Sequence, residues 1–168
     1  MGKIKKDDSI FIAGARGLAG SAVHRKLKSF GYSKLLVPNR KILNLENYSD
    51  VKNWFEIYNP SVVILCAAKV GGILANQNYP ADFILKNLKI QNNIIELSWL
   101  NNVKRFIFLG SSCIYPKYTS QPISEESLLT GKLEETNSAY AIAKIAGIEL
   151  CKSLRKQYSF DSICLMPT

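Results

Sequence analysis

The sequence has no apolar run approaching the roughly 20 residues that a bilayer-spanning helix needs. No apolar segment follows the basic start Met1-Gly2-Lys3-Ile4-Lys5-Lys6, so a secretory signal is not expected. Lys6 stands where an N-myristoylation motif takes Ser or Thr, which removes that anchor too. The expectation is a soluble, cytoplasmic chain. Cys-x-x-Cys pairs are also missing. The four cysteines, Cys66, Cys113, Cys151 and Cys164, lie far apart, so zinc and thioredoxin-type chemistry have no support. Cys66, Cys151 and Cys164 fall in apolar patterns and read as small core residues. Histidine is limited to His24, which falls on a helical pattern and reads as a surface residue rather than a metal ligand. Acidic residues are outnumbered, 13 against 22 basic ones, for a net charge of +9. Apart from a small N-terminal cluster the lysines are scattered, and no nucleic-acid-binding motif accompanies them. The charge therefore reads as a solvated surface that favours small anionic ligands. Internal repeats and low-complexity linkers are absent as well. A length of 168 residues suits one domain with a real core.

What is present is organised around Ile10–Gly20. A short apolar run, Ile10-Phe-Ile-Ala13, ends in three glycines spaced as Gly14-x-x-Gly17-x-x-Gly20, and a helical pattern starts at Leu18. Strand, tight turn and helix start follow one another, the context that a phosphate-binding glycine turn requires. Glycine lets the backbone approach an anion, and the helix start supplies unpaired N–H groups at the positive end of its dipole. Residues Gly14, Ala15, Arg16, Gly17, Leu18, Ala19 and Gly20 are thus candidate dinucleotide contacts. The plain alternative is a tight turn without a ligand.

The remainder alternates between strand and helix patterns. Strands are expected at Ser9–Ala13, Lys34–Val37, Ser61–Ala67, Arg105–Leu109 and from Ile163 to Met166, with a short one at Ile42–Asn44. Helices are expected at Leu18–Phe30, Tyr48–Ile57, Ala81–Leu100 and Ala139–Gln157, the first stopped by Gly31. The continuous apolar run Val62-Val63-Ile64-Leu65-Cys66 suits a strand buried on both faces of a parallel sheet. Crossovers of this length join parallel strands with a right-handed turn. The expected fold is a doubly wound parallel α/β sheet of Rossmann type, in the order 3-2-1-4-5-6, with ligands at the carboxyl ends of its strands.

The stretch after the second strand, Val37-Pro38-Asn39-Arg40-Lys41, has no carboxylate. A site for NAD normally places Asp or Glu there, against the ribose 2′-hydroxyl. Arg40 would instead attract a 2′-phosphate, with Arg16 approaching from the glycine turn. An arginine fork can donate two parallel hydrogen bonds to such a group. This favours NADP(H) over NAD. The alternative is that Arg40 and Lys41 are ordinary solvated charges.

Two later stretches carry chemistry. Gly110-Ser111-Ser112-Cys113-Ile114-Tyr115-Pro116 follows the strand Arg105–Leu109, and Tyr140-Ala-Ile-Ala-Lys144 lies on a helix. Residues four apart share a helix face, so Tyr140 and Lys144 point the same way. A nearby ammonium would lower the tyrosine pKa from its usual value near 10. Ser111 could donate to a carbonyl oxygen while Tyr140 moves the proton. Each element alone usually marks a turn or a half-buried tyrosine; their order along the chain carries the argument.

That order resembles the short-chain dehydrogenase/reductase superfamily, in the extended branch that acts on sugar nucleotides. Four stretches narrow it: Ala67-Ala-Lys-Val-Gly-Gly-Ile73, Tyr79-Pro-Ala-Asp-Phe83, Leu109-Gly-Ser-Ser-Cys-Ile-Tyr-Pro-Lys117 and Tyr140-Ala-Ile-Ala-Lys-Ile-Ala-Gly147 resemble the GDP-L-fucose synthase family. The resemblance implies NADPH-dependent conversion of GDP-4-keto-6-deoxy-D-mannose to GDP-L-fucose, by epimerisation at C3 and C5 and reduction at C4. It implies that Ser111, Tyr140 and Lys144 form the reductase centre and that Cys113 transfers protons during epimerisation. It also carries Asn44, Leu45, Leu109, Gly110, Ser111, Ser112, Pro167 and Thr168 into cofactor contacts, with Lys144 holding the cofactor ribose. Ala67, Ala68 and Lys69, just after a strand at the switch point, should lie beside the cofactor too. Asn87 is expected to tie the long helix to the sheet. The family's catalytic histidine and its substrate domain would lie beyond Thr168, which makes this chain an incomplete NADP-binding Rossmann domain, inactive alone. A homodimer built on the helices beside the active site is implied for the full-length form.

Alternatives stay open at this point. Cys113 could be only a buried thiol. The protein could be another extended-family epimerase or dehydratase, or a non-catalytic NADP-binding fragment.

Overall fold

A computed structural model describes residues 3–167. Its elements run β1 (Ile10–Ala13), α1 (Leu18–Ser29), β2 (Leu35–Leu36), α2 (Tyr48–Tyr58), β3 (Val62–Leu65), α3 (Ile73–Asn78), α4 (Pro80–Leu100), β4 (Arg105–Leu109), α5 (Ser138–Tyr158) and β5 (Ser162–Leu165), with three 3-10 turns between β4 and α5. All five strands are parallel, in the order β2-β1-β3-β4-β5. Ile10 pairs with Val62, Val62 with Arg105 and Phe106 with Ser162, so the strands run in step.

Alternation along each strand separates two cores. Phe11, Val63, Leu65, Phe106 and Phe108 face one way and pack with Trp54 and Phe55 of α2, Ile94 and Ile95 of α4, and Ile148 and Leu154 of α5. Ile10, Ile12, Val62 and Ile64 face the other way, toward Val23 and Leu27 of α1. Helices thus cover both faces of β1 and β3, and these two strands are buried throughout. The fold is the expected Rossmann-type doubly wound sheet.

One expected strand is absent. Ile42–Asn44 folds as a turn, because the Asn39 side chain accepts from the N–H of Lys41 at 2.8 Å and of Ile42 at 3.2 Å. The Asn39 carbonyl then accepts from Ile42 and Leu43. Asparagine competes in this way for backbone donors that a strand would need. Only Leu43 is buried, at 3% exposure, against 65% for Ile42. The expected order therefore stands without its edge strand.

Element ends follow local chemistry. Gly31 stops α1 with φ +79°. Asn59 ends α2 with φ +38° and precedes Pro60. Pro80 opens α4, a position that needs no N–H. The short α3, not anticipated from sequence, fills the segment just before it. Asn87 on α4 is 2% exposed; its Nδ2 donates to the carbonyls of Lys69 and Phe83, and its Oδ1 accepts from the Lys69 N–H. Its anchoring role is real, and what it anchors is the loop after β3. Cys151 is buried, whereas Cys66 and Cys164 are only partly so, and His24 on α1 is half-buried rather than exposed. Among the described residues no group of His, Cys, Asp or Glu could hold a metal, and no helix is long and apolar enough to cross a membrane.

Candidate cofactor cleft and reaction centre

A cleft of about 560 Å³ opens at the carboxyl ends of β1 and β3, where the strand order reverses. Its walls include all of Gly14–Gly20 together with Arg40, Asn44, Leu45, Ala67 and Ala68. Two of the glycines are required by close approach. Gly14 has φ +89°, and a Cβ there would come within 2.6 Å of the Ala67 nitrogen. A Cβ on Gly20 would overlap the Gly14 carbonyl. Gly17 differs: it is extended, and a Cβ would meet only the Gly14 oxygen, at 3.4 Å. Gly17 is the N-cap of α1, and no side chain caps this helix start. Nor does the first turn of α1 hold an acidic residue. By contrast α2 is capped by Asn47, which accepts from Ser49 at 2.9 Å and Asp50 at 3.2 Å. The open N–H groups of α1 thus face the cleft, ready for an anion.

Arg16 and Arg40 both line this cleft. Arg16 pairs with no carboxylate among the described residues. Arg40 does: its Nη2 lies 2.8 Å from Glu46 Oε1. The carboxylate missing just after β2 is therefore supplied six residues downstream, by a turn that the sequence pattern did not reveal.

Beyond β4 the chain enters a 3-10 turn, Ser112–Ile114, whose N-cap is Ser111; the Ser111 Oγ accepts from the Cys113 N–H at 3.3 Å. Tyr140 and Lys144 lie one turn apart on α5, and the Lys144 Nζ sits 5.8 Å from the Tyr140 ring centre. Lys144 is 4% exposed, lies over the Phe108 ring at 4.8 Å and donates to the Leu109 carbonyl at 2.8 Å. Burial pulls the Lys144 ammonium down to about 8, partly countered by Cys66. Burial also pushes the Cys66 thiol up to about 11.

The expected lowering of the Tyr140 pKa does not occur. Burial raises it, a hydrogen bond with Ser111 opposes the rise and Cys113 adds to it. The Lys144 ammonium is directed at the Leu109 carbonyl instead. The phenol accordingly stays protonated at neutral pH.

The structure draws the sequence candidates into two groups. Gly14–Gly20, Arg40, Asn44, Leu45, Ala67 and Ala68 share the cleft. Ser111, Cys113, Tyr140 and Lys144 gather beyond β4, beside Leu109. Lys69, Leu109, Gly110, Ser111, Ser112, Lys144 and Pro167 are not on the cleft wall, and Thr168 lies outside the described residues. Cys66 links the groups, since it lines the cleft and feels Lys144. Pro38, Asn39, Leu43, Glu46, Val70 and Ile90 also line the cleft and were not singled out as contacts. Pro38 and Asn39 follow β2 directly, a signal that could have found them; Ile90 comes from α4 and had none.

This is a Rossmann-type fold with its crevice at the switch point. Residues 10–168 match the model of the NAD dependent epimerase/dehydratase family, and the chain belongs to that family. It is 53% identical over 163 residues to GDP-L-fucose synthase 1 of Arabidopsis thaliana, covering 97% of this chain and 50% of that protein. It is 51% identical over 159 residues to GDP-L-fucose synthase of Escherichia coli K12, covering 95% and 50%. Among solved structures, a GDP-mannoheptose C4 reductase from Campylobacter jejuni with NADP bound superposes with a TM-score of 0.94 at 39% identity, covering 98% of this chain and 48% of that one. The chain spans about half the length of the curated relatives it matches.

Proposed function

We propose that this chain is the NADP(H)-binding part of a GDP-L-fucose synthase, a cytoplasmic, multifunctional isomerase and oxidoreductase. The observation that carries the cofactor reading is the joining of two arginines to an uncapped, acid-free helix start in one cleft. The close approaches at Gly14 and Gly20 keep this cradle free of side chains. Gly14–Gly20 would hold the pyrophosphate, and Arg16 and Arg40 the 2′-phosphate. Asn44, Leu45, Ala67, Ala68, Lys69, Leu109, Gly110, Ser112, Pro167 and Thr168 would complete the cofactor contacts.

When bound, the nicotinamide supplies the hydride for a ketone. Ser111 would hold the ketone oxygen by hydrogen bonding, and Tyr140 would give that oxygen its proton. Lys144 would hold the cofactor ribose. With the carbonyl polarised by Ser111 and Tyr140, the neighbouring C–H bonds become acidic enough for Cys113 to move their protons. The relatives' names give GDP-L-fucose as the proposed product, and the family resemblance makes GDP-4-keto-6-deoxy-D-mannose the proposed substrate. Leu85 on α4 and Ile142 on α5 are exposed apolar residues and suit a homodimer built on these helices.

We place the substrate-binding domain and the second proton-transfer acid outside these residues. Incubating the 168-residue chain with GDP-4-keto-6-deoxy-D-mannose and NADPH, then separating products by chromatography, tests this. No GDP-L-fucose is expected, because remote binding energy is what positions the reacting carbon. Turnover near that of a full-length relative would overturn the division of labour.

A further inference from the structure

Glu46 is a carboxylate in the wall of a cleft read as binding an extra phosphate. We propose that Glu46 is a specificity-determining residue, which weakens the cleft's preference for a dinucleotide carrying a 2′-phosphate over one without it. The inference rests on reading Arg40 as a partner of that phosphate.

The backbone that carries Glu46 is held in its turn. The Glu46 N–H donates to Asn44 Oδ1 at 3.2 Å, and the Leu45 carbonyl accepts from Asn93 Nδ2 on α4 at 2.9 Å. The Glu46 side chain is 23% exposed, whereas that of Arg40 is 81% exposed. The carboxylate is thus the fixed member of the 2.8 Å pair, and the long arginine is the member that adjusts. A phosphate arriving at Arg40 must share it with an anion already hydrogen-bonded there. It must also sit close to that anion's charge, and like charges repel, though solvent around the exposed arginine keeps the effect modest. Arginine keeps other N–H donors, so the pair weakens phosphate binding without blocking it. A dinucleotide ending in a 2′-hydroxyl carries no such charge and meets no such repulsion.

The test is a fluorescence titration of the 168-residue chain and its Glu46→Gln and Glu46→Asn variants with NADPH and with NADH. Exposed ion pairs set the scale, a factor of about 1.5 to 5. Glu46→Gln should tighten NADPH binding by about threefold and leave NADH within about 1.5-fold, with Glu46→Asn moving the same way. The gain should shrink as salt rises from about 0.01 to 1 M, because screening weakens both the repulsion and the pair. An unchanged or lowered NADPH preference in both folded variants overturns the inference, while a wild-type preference for NADPH keeps the phosphate reading. If the wild-type chain and Arg16→Ala and Arg40→Ala variants show no preference, the phosphate reading falls and the inference falls with it.

Discussion

Lys144 reaches from α5 to the last residue of β4, donating from Nζ to the Leu109 carbonyl at 2.8 Å while only 4% exposed. This bond fixes the helix that carries Tyr140 against the strand that leads to Ser111. Burial holds the folded-state pKa of Lys144 near 8, below its ordinary 10.5. Between those values the unfolded chain binds more protons than the folded one, so this residue makes stability rise with pH from about 8 to about 10.5. Below pH 8 its charge opposes folding in full. The rise is on the order of 3 kcal/mol. Subtracting the unfolding free energy of Lys144→Met from that of wild type, by urea titration at each pH, isolates it. A flat difference across that window would contradict the buried ammonium.

Gly17→Ala should separate binding from folding. Its backbone is extended and its Cβ has room, so stability should change by less than about 1 kcal/mol. Gly17 nevertheless lines the cleft at the open helix start, and NADPH affinity should fall by about tenfold or more. Thermal melting and cofactor titration on one sample check both parts. Unchanged affinity would remove the helix start from the binding site.

Gly14→Ala should fail at the earlier step. Its φ of +89° and the 2.6 Å approach to the Ala67 nitrogen leave no place for a side chain. A loss of about 2 kcal/mol or more in unfolding free energy is expected. A fully stable variant would mean that the turn can relax.

Asn87→Leu should destabilise the chain by about 1–2 kcal/mol, since the Lys69 N–H and carbonyl both lose their partner in a part-buried setting. Hydrogen exchange should quicken at Lys69. Unaltered protection there would place the loop's support elsewhere.

The sheet, its parallel sense and the glycine turn were legible because each is written locally. The Val62–Leu65 run is apolar at every position, and Gly14, Gly17 and Gly20 stand between a strand and a helix. The Ile42–Asn44 pattern looks like a strand in sequence, but the Asn39 side chain and carbonyl capture the backbone donors that a strand would need. Only the direction of the Tyr140 pKa shift departs from expectation: the Tyr-x-x-x-Lys spacing shows which face the residues share, but not that Lys144 turns its charge to a carbonyl. Glu46 was illegible because its place in the cleft depends on the Asn44 turn and on Asn93, 47 positions along the chain. Local patterns show what kind of cleft is built, whereas its charge balance arises from tertiary placement.

The most direct measurement is the affinity of the 168-residue chain for NADPH and for NADH, titrated side by side at low salt. Both should bind, with NADPH tighter by about tenfold, the worth of one charge-assisted hydrogen bond. Arg16→Ala, which removes the arginine with no carboxylate partner among the described residues, should erase most of that difference. Equal affinity for the two cofactors, or a preference for NADH, would contradict the phosphate reading.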